Sequence, residues 1–197
     1  MSRTLRIAAG AVCFCFVFSA SASFGQNKAA PAPADAPPQV VAAPAANAAD
    51  VSSPDAIVAA VYDVISGPAG QKRDWNRMRS LFTSDARLIA VITQKQAGLG
   101  LISLSPQGYI DRAGAYFDKN GFWERETARR TEQWGNILEC FSTYESRHDA
   151  KDATPFARGI NSFQLFNDGT RWWIVTIYWQ EESAANPLTP EFLPRSK

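Results

Sequence analysis

Chemistry in this sequence has to come from carboxylates, arginines and tyrosines, because the other usual carriers are scarce. The one histidine, His148, stands in the polar run SRHDAKDAT and reads as a solvent-facing loop residue. A single imidazole supplies no histidine pair, and it excludes a histidine-rich zinc site. The sequence holds no Cys-His cluster, and its acidic residues show no calcium-loop spacing, so no metal and no cofactor is expected. Cys140 lies in an apolar, strand-like segment and reads as a buried thiol rather than a nucleophile. There is no G-x-S-x-G elbow and no phosphate loop, and Gly98-Leu-Gly100 reads as a turn.

Charge is densest in WERETARRTEQW, Trp123 to Trp134. In a regular strand Arg125, Thr127, Arg129 and Thr131 share one face, and Glu124, Glu126, Ala128, Arg130 and Glu132 share the other. Neither face is apolar, although a strand packed on helices needs one that is. Two readings fit. The strand lies near a sheet edge and forms cross-strand ion pairs with neighbours such as Glu139 and Glu145. Alternatively, some arginines turn inward to meet an anionic or carbonyl-bearing ligand. Arg129 and Arg130 cannot both do so, because adjacent side chains point to opposite faces.

The elements that must position these groups follow a clear order. Ser53 caps a helix, Pro54 fits its first turn, and Ile57, Val58, Val61, Val64 and Ile65 recur at helical spacing until Gly67-Pro68. A second helix is expected from Asp74 to Phe82. Arg87–Thr93 and Leu99–Leu104 read as short strands. Ser105-Pro106 starts a third helix, with Tyr109, Ile110, Ala113 and Phe117 facing inward. Four long strands are then expected at Trp123–Trp134, Ile137–Arg147, Arg158–Phe166 and Arg171–Gln180, with turns at Gly135-Asn136, His148–Pro155 and Asn167-Asp168-Gly169. Helices covering one face of an antiparallel meander make an α+β layer plan.

Composition limits the rest. The chain has 197 residues, 46% of them hydrophobic, enough for one core. Its formal charge of +1, with neither basic stripe nor acidic tail, gives no reason to expect nucleic acid. Arg3 and Arg6, the apolar run Ile7–Ala20 and the small residues Ala20-Ser21-Ala22 read as a cleavable signal peptide over residues 1–22. A periplasmic or secreted location is expected, with no membrane attachment after cleavage. Residues 23–52, rich in alanine and proline, read as a flexible linker, and 53–197 as the domain.

The order of elements, the segment LFTSDARL and the terminal hairpin FNDGTRWWIVTIYW resemble the nuclear transport factor 2-like superfamily, including its SnoaL-like branch. The stretches RETARRTEQWGNILECFSTYESR and PFARGINSF look like a secreted or cell-envelope subgroup of it. The resemblance implies a cone, in which a curved mixed or antiparallel sheet wraps around three N-terminal helices and leaves a pocket open at one end. It also implies a frequent homodimer through the outer sheet face. Fold alone does not imply a reaction, since the superfamily holds isomerases, dehydratases, hydrolases and non-catalytic binding modules. Its epoxide hydrolases resemble one another in an Asp-Arg-Asp arrangement, which Asp85, Arg130 and Glu145 would mimic, although no local motif matches.

Alternation divides the last strand between two surfaces. Trp172, Ile174, Thr176 and Tyr178 would face the core and pocket, and Trp173, Val175, Ile177 and Trp179 the outer, subunit-contacting surface. A two-residue Asp168-Gly169 turn pairs Asn161 with Thr176 and puts Gly159, Asn161, Phe163 and Leu165 inside. A glycine bulge shifts this by one and puts Ile160, Ser162 and Gln164 inside instead. The first has the more apolar inner face. Three functions follow. One is a binding module taking a small apolar or aromatic molecule against Trp75, Arg130, Tyr144, Asn161, Thr176 and Tyr178. Another is an acid–base enzyme with Asp85 or Glu145 as base and Tyr144 or Tyr178 as donor. The third is an interaction protein working through Trp173 and Trp179.

Overall fold

A computed structural model describes residues 43–94 and 98–194. The expected signal peptide, residues 1–22, and most of the expected linker, 23–42, lie outside the described residues. The fold begins before Ser53. Asn47 caps one helical turn, α1 (Ala48–Val51). Its buried Asp50 accepts from Arg77 Nε at 2.7 Å and Nη2 at 2.9 Å. Alanine-rich composition concealed this turn, which is held by a distant arginine together with the buried Val51.

Helix α2 (Pro54–Ile65) starts where Ser53 Oγ accepts from Ala56 N at 3.1 Å, and it buries Ile57, Val58, Val61, Val64 and Ile65. Helix α3 (Trp75–Ser80) is capped by Asp74. It is shorter than expected because Phe82 already belongs to strand β1 (Phe82–Gln94). Strand β2 (Gly98–Leu104) and helix α4 (Pro106–Phe117), capped by Ser105, follow. Between α2 and α3 the buried Arg73 donates to the carbonyls of Ile65, Gly67, Pro68 and Gln71, and its guanidinium lies over the Phe117 ring. It has no carboxylate partner among the described residues.

Strands β3 (Trp123–Trp134), β4 (Ile137–Arg147), β5 (Ala157–Asn167) and β6 (Trp172–Glu181) form the antiparallel meander. Strand β1 joins β6 in parallel, giving one six-stranded sheet in the order β2-β1-β6-β5-β4-β3. Helix α2 packs on β3 and β6, and α4 on β1 and β2. The core lies between these helices and the inner sheet face, around Phe82, Phe163, Leu165 and Ile174. Residues 183–194 turn back over the outer face, where the Phe192 ring lies tilted against Phe141 and its carbonyl accepts from Thr143 Oγ1 at 2.6 Å.

Two single-residue bulges decide which side chains face inward. In β3, Thr127 is the extra residue, so Glu124, Glu126 and Arg129 share the inner face opposite Ser146, Tyr144 and Ser142. In β6, Val175 is extra: Leu165 pairs with Ile174, but Gln164 pairs with Thr176. The loop before β6 is also longer than two residues. Asn167 pairs with Trp172, and the Asp168 carboxylate accepts from Thr170 N, Arg171 N and Trp173 Nε1. Asn161 therefore pairs with Trp179 and not with Thr176, while Asn161, Phe163 and Leu165 still face inward.

Candidate functional site

Between the helices and the inner sheet face lies a cavity of about 210 Å³. Met78 from α3, Leu88 from β1 and Phe163 from β5 are almost fully buried and form its floor. Tyr109 from α4, Tyr144 from β4, and Ile177 and Trp179 from β6 make its walls, with Tyr109 and Trp179 meeting edge to face. Phe156 and Glu181 are exposed and mark the rim. Gly159 in β5 pairs with Tyr144 across the sheet. A Cβ there would lie 2.7 Å from Tyr144 Oη and 2.3 Å from the Gln180 carbonyl, so only glycine leaves the tyrosine its position.

Glu124 is the polar centre. Ser146 Oγ donates to its Oε2 at 2.8 Å, and Asn161 Nδ2 donates to its Oε1 at 3.3 Å. The same amide donates to Tyr62 Oη at 3.1 Å, and Tyr62 in turn shares a 2.7 Å hydrogen bond with Ser142 Oγ. Both amide protons of Asn161 are thus committed, which fixes the network from α2 to β3. Burial pushes the Glu124 carboxyl up to about 7, against the two hydrogen bonds that favour its charged form. Burial, and secondarily the Glu124 charge, push the Tyr109 and Tyr144 hydroxyls well above their ordinary value. At neutral pH both remain protonated. Among the described residues neither hydroxyl has a hydrogen-bond partner.

Several other carboxylates are paired with arginines. Asp50 has Arg77, Glu126 has Arg129 at 2.5 Å, and Glu145 has Arg147 at 2.9 Å and Arg125 at 3.1 Å. Glu124 has none within 4.0 Å among the described residues. A carboxylate held without a counter-ion, beside protonated phenols and an apolar floor, can anchor a ligand's polar group or exchange a proton with it.

Sequence reasoning placed Tyr144 and Asn161 here, and the fold brings them together around Glu124. The other expected ligand contacts lie elsewhere. Trp75 stacks on Phe117, Arg130 is exposed over the Phe192 ring, and Thr176 pairs with Gln164 on the outer face. Tyr178 also faces out, 43% exposed, because the Val175 bulge reverses the alternation. For the same reason Ile177 and Trp179, expected outside, line the cavity, while Trp173 and Val175 stay on the outer face. Neither expected base reaches the cavity: Asp85 is exposed, and Glu145 is held by arginines. The inward arginine is Arg129, but Glu126 and Asp55 engage it and it does not line the cavity. Glu124 was missed because an unbulged β3 sets it beside Arg147 on the outer face. The WxR-x-T run carries no signal for a bulge at Thr127.

No family model and no curated protein matches the chain. Among solved structures, a protein named as the beta subunit of an aromatic-ring-hydroxylating dioxygenase from Novosphingobium aromaticivorans superposes with a TM-score of 0.50 at 12% identity. That match covers 70% of this chain and 95% of that one. The fold is nuclear transport factor 2-like. Two further structures of this kind are a nuclear transport factor 2-like protein of unknown function from Silicibacter pomeroyi and a cystatin-like protein of unknown function from Nostoc punctiforme. Their TM-scores are 0.46 and 0.48, and their identities 14% and 11%. They cover 66% and 65% of this chain, and it spans 94% and 87% of theirs.

Proposed function

We propose that the domain binds a small, largely apolar molecule in the cone, with Glu124, Tyr109 and Tyr144 engaging its one polar group. The carrying observation is the apolar cavity with an unpaired carboxylate and two unpartnered hydroxyls converging in it. Thermal shift and NMR with a panel of small aromatic compounds test this. Compounds should stabilise the wild type and lose their effect in Ala157→Phe, which fills the rim. Equal binding in both, or no binding in either, overturns the reading.

A second reading is supported by Glu124 itself, whose carboxyl near 7 suits it to exchange protons at neutral pH. As an acid–base enzyme of isomerase, dehydratase or hydrolase type, the domain would use Glu124 as base and Tyr109 or Tyr144 as donor. Catalysed deuterium exchange into carbon acids next to a carbonyl, abolished by Glu124→Gln, is its test.

Export is proposed on the basic start, apolar run and small residues at 1–22. A homodimer through the outer face is proposed on Val175, Tyr178 and Phe166, each about 40% exposed, and on the more exposed Leu99 and Leu101 of edge strand β2.

A further inference from the structure

Every described residue that faces the cavity is apolar, neutral or acidic. Glu124 stands at its centre and Glu181 at its rim, and among the described residues no lysine, arginine or histidine lines it. The two arginines nearest in register, Arg125 and Arg147, line a neighbouring cavity that Glu124 also borders, and both are paired with Glu145. Arg129, on the inner face of the same strand, is closed off by Glu126 and Asp55. The groups around Glu124 are Tyr62 from α2, Tyr109 from α4, Tyr144 from β4, Asn161 from β5, and Glu181 from β6. None of them supplies positive charge.

An anion entering this space would meet two acids and no cation. A neutral apolar molecule would leave Glu124 ionised without compensation, or protonated. A cation would pair with Glu124 in a poorly solvated setting, where the attraction is stronger than in water. Its remaining faces would meet the rings of Tyr109, Tyr144, Phe156 and Trp179, whose negative π-surfaces attract organic cations.

Resting on the pocket-binding reading, we propose that the ligand class is a small organic cation, an amine or ammonium compound with an apolar body. Glu124 is its counter-ion, and the surrounding rings form the cage. Cation binding then draws the carboxylate into its charged form, so affinity rises with pH as Glu124 ionises.

The test uses three probes on the domain with its C-terminal segment intact: phenyltrimethylammonium, its neutral isostere tert-butylbenzene, and benzoate. A quaternary ammonium has no proton to give, so it separates charge pairing from proton transfer. Methyl resonances of Met78, Leu88 and Ile177 report occupancy. The preference for the cation over tert-butylbenzene should fall at least about tenfold in Glu124→Gln. In the wild type it should rise from about pH 6 to about pH 8, and in the variant it should stay flat. The amide spectrum of Glu124→Gln establishes that the variant is folded. Equal preference in both proteins, or benzoate binding as tightly as the cation, overturns the cation assignment and leaves a neutral-ligand pocket. If none of the probes shifts these resonances in the wild type, pocket binding itself fails.

Discussion

Glu124 faces Ser146 across the β3–β4 ladder, and Ser146 Oγ donates to its carboxylate at 2.8 Å. Counted back from the Gly135-Asn136 turn without a bulge, the same residue would stand opposite Arg147. Its neighbour is therefore a neutral hydroxyl, and burial is left to raise the carboxyl to about 7.

That raised value makes stability fall with pH. Between the ordinary carboxylate range and about 7 the folded protein holds a proton that the unfolded chain has released. Stability is therefore lost as pH rises through this window, by up to about 3 kcal/mol from the difference in pKa. Glu124→Gln should remove the slope. Urea unfolding at a series of pH values should find wild type and variant converging at about pH 4 and the variant more stable at about pH 8.

Asn161→Ala should raise the Glu124 carboxyl further, because one of two hydrogen bonds to the charged form disappears. Tyr62 keeps Ser142. The expected stability loss is about 1–2 kcal/mol. A carboxyl-carbon NMR titration of Glu124 reads the shift, and an unchanged or lower midpoint contradicts the network.

Arg73→Met should cost about 3 kcal/mol or more, because four carbonyls lose their donor, those of Ile65 and Gly67 in buried hydrogen bonds. Arg73→Lys should recover little, since an ammonium lacks the planar fork that reaches carbonyls on several sides. Thermal unfolding of both variants checks this, and full rescue by lysine contradicts it.

Val175→Lys combined with Tyr178→Glu should lower the solution mass if copies meet through the outer face, without disturbing the cavity on the other side. Sedimentation velocity measures the mass. An unchanged value counts against that interface.

The helices were legible because their signals are local: Ser53-Pro54 and Ser105-Pro106 cap and start them, and the apolar spacing continues them. The β3–β4 hairpin was equally plain, with Gly135-Asn136 between long strands whose ends were read correctly. Asn161 could be placed inside because the face it shares with Phe163 and Leu165 is the more apolar one of β5, although its partner is Trp179 and not Thr176. What failed lies beyond a bulge. Val175 reversed the facing of Ile177, Tyr178 and Trp179, and Thr127 turned Glu124 inward. Alternation is a counting rule, and a single extra residue changes the parity of everything after it. Whether a residue is extra depends on the neighbouring strand and not on its own type.

The Thr127 bulge therefore acts as a frame marker for the pocket's charge. Take Thr127 into the ladder as an ordinary paired residue, and the register running back from the hairpin turn brings Arg125 opposite Ser146 while Glu124 rotates to the outside. The cavity would keep its volume, its tyrosines and its apolar floor, yet its central group would change from a carboxylate to a guanidinium. The presence or absence of one bulge in an edge strand is thus a short evolutionary route between domains of this shape that select ligands of opposite sign.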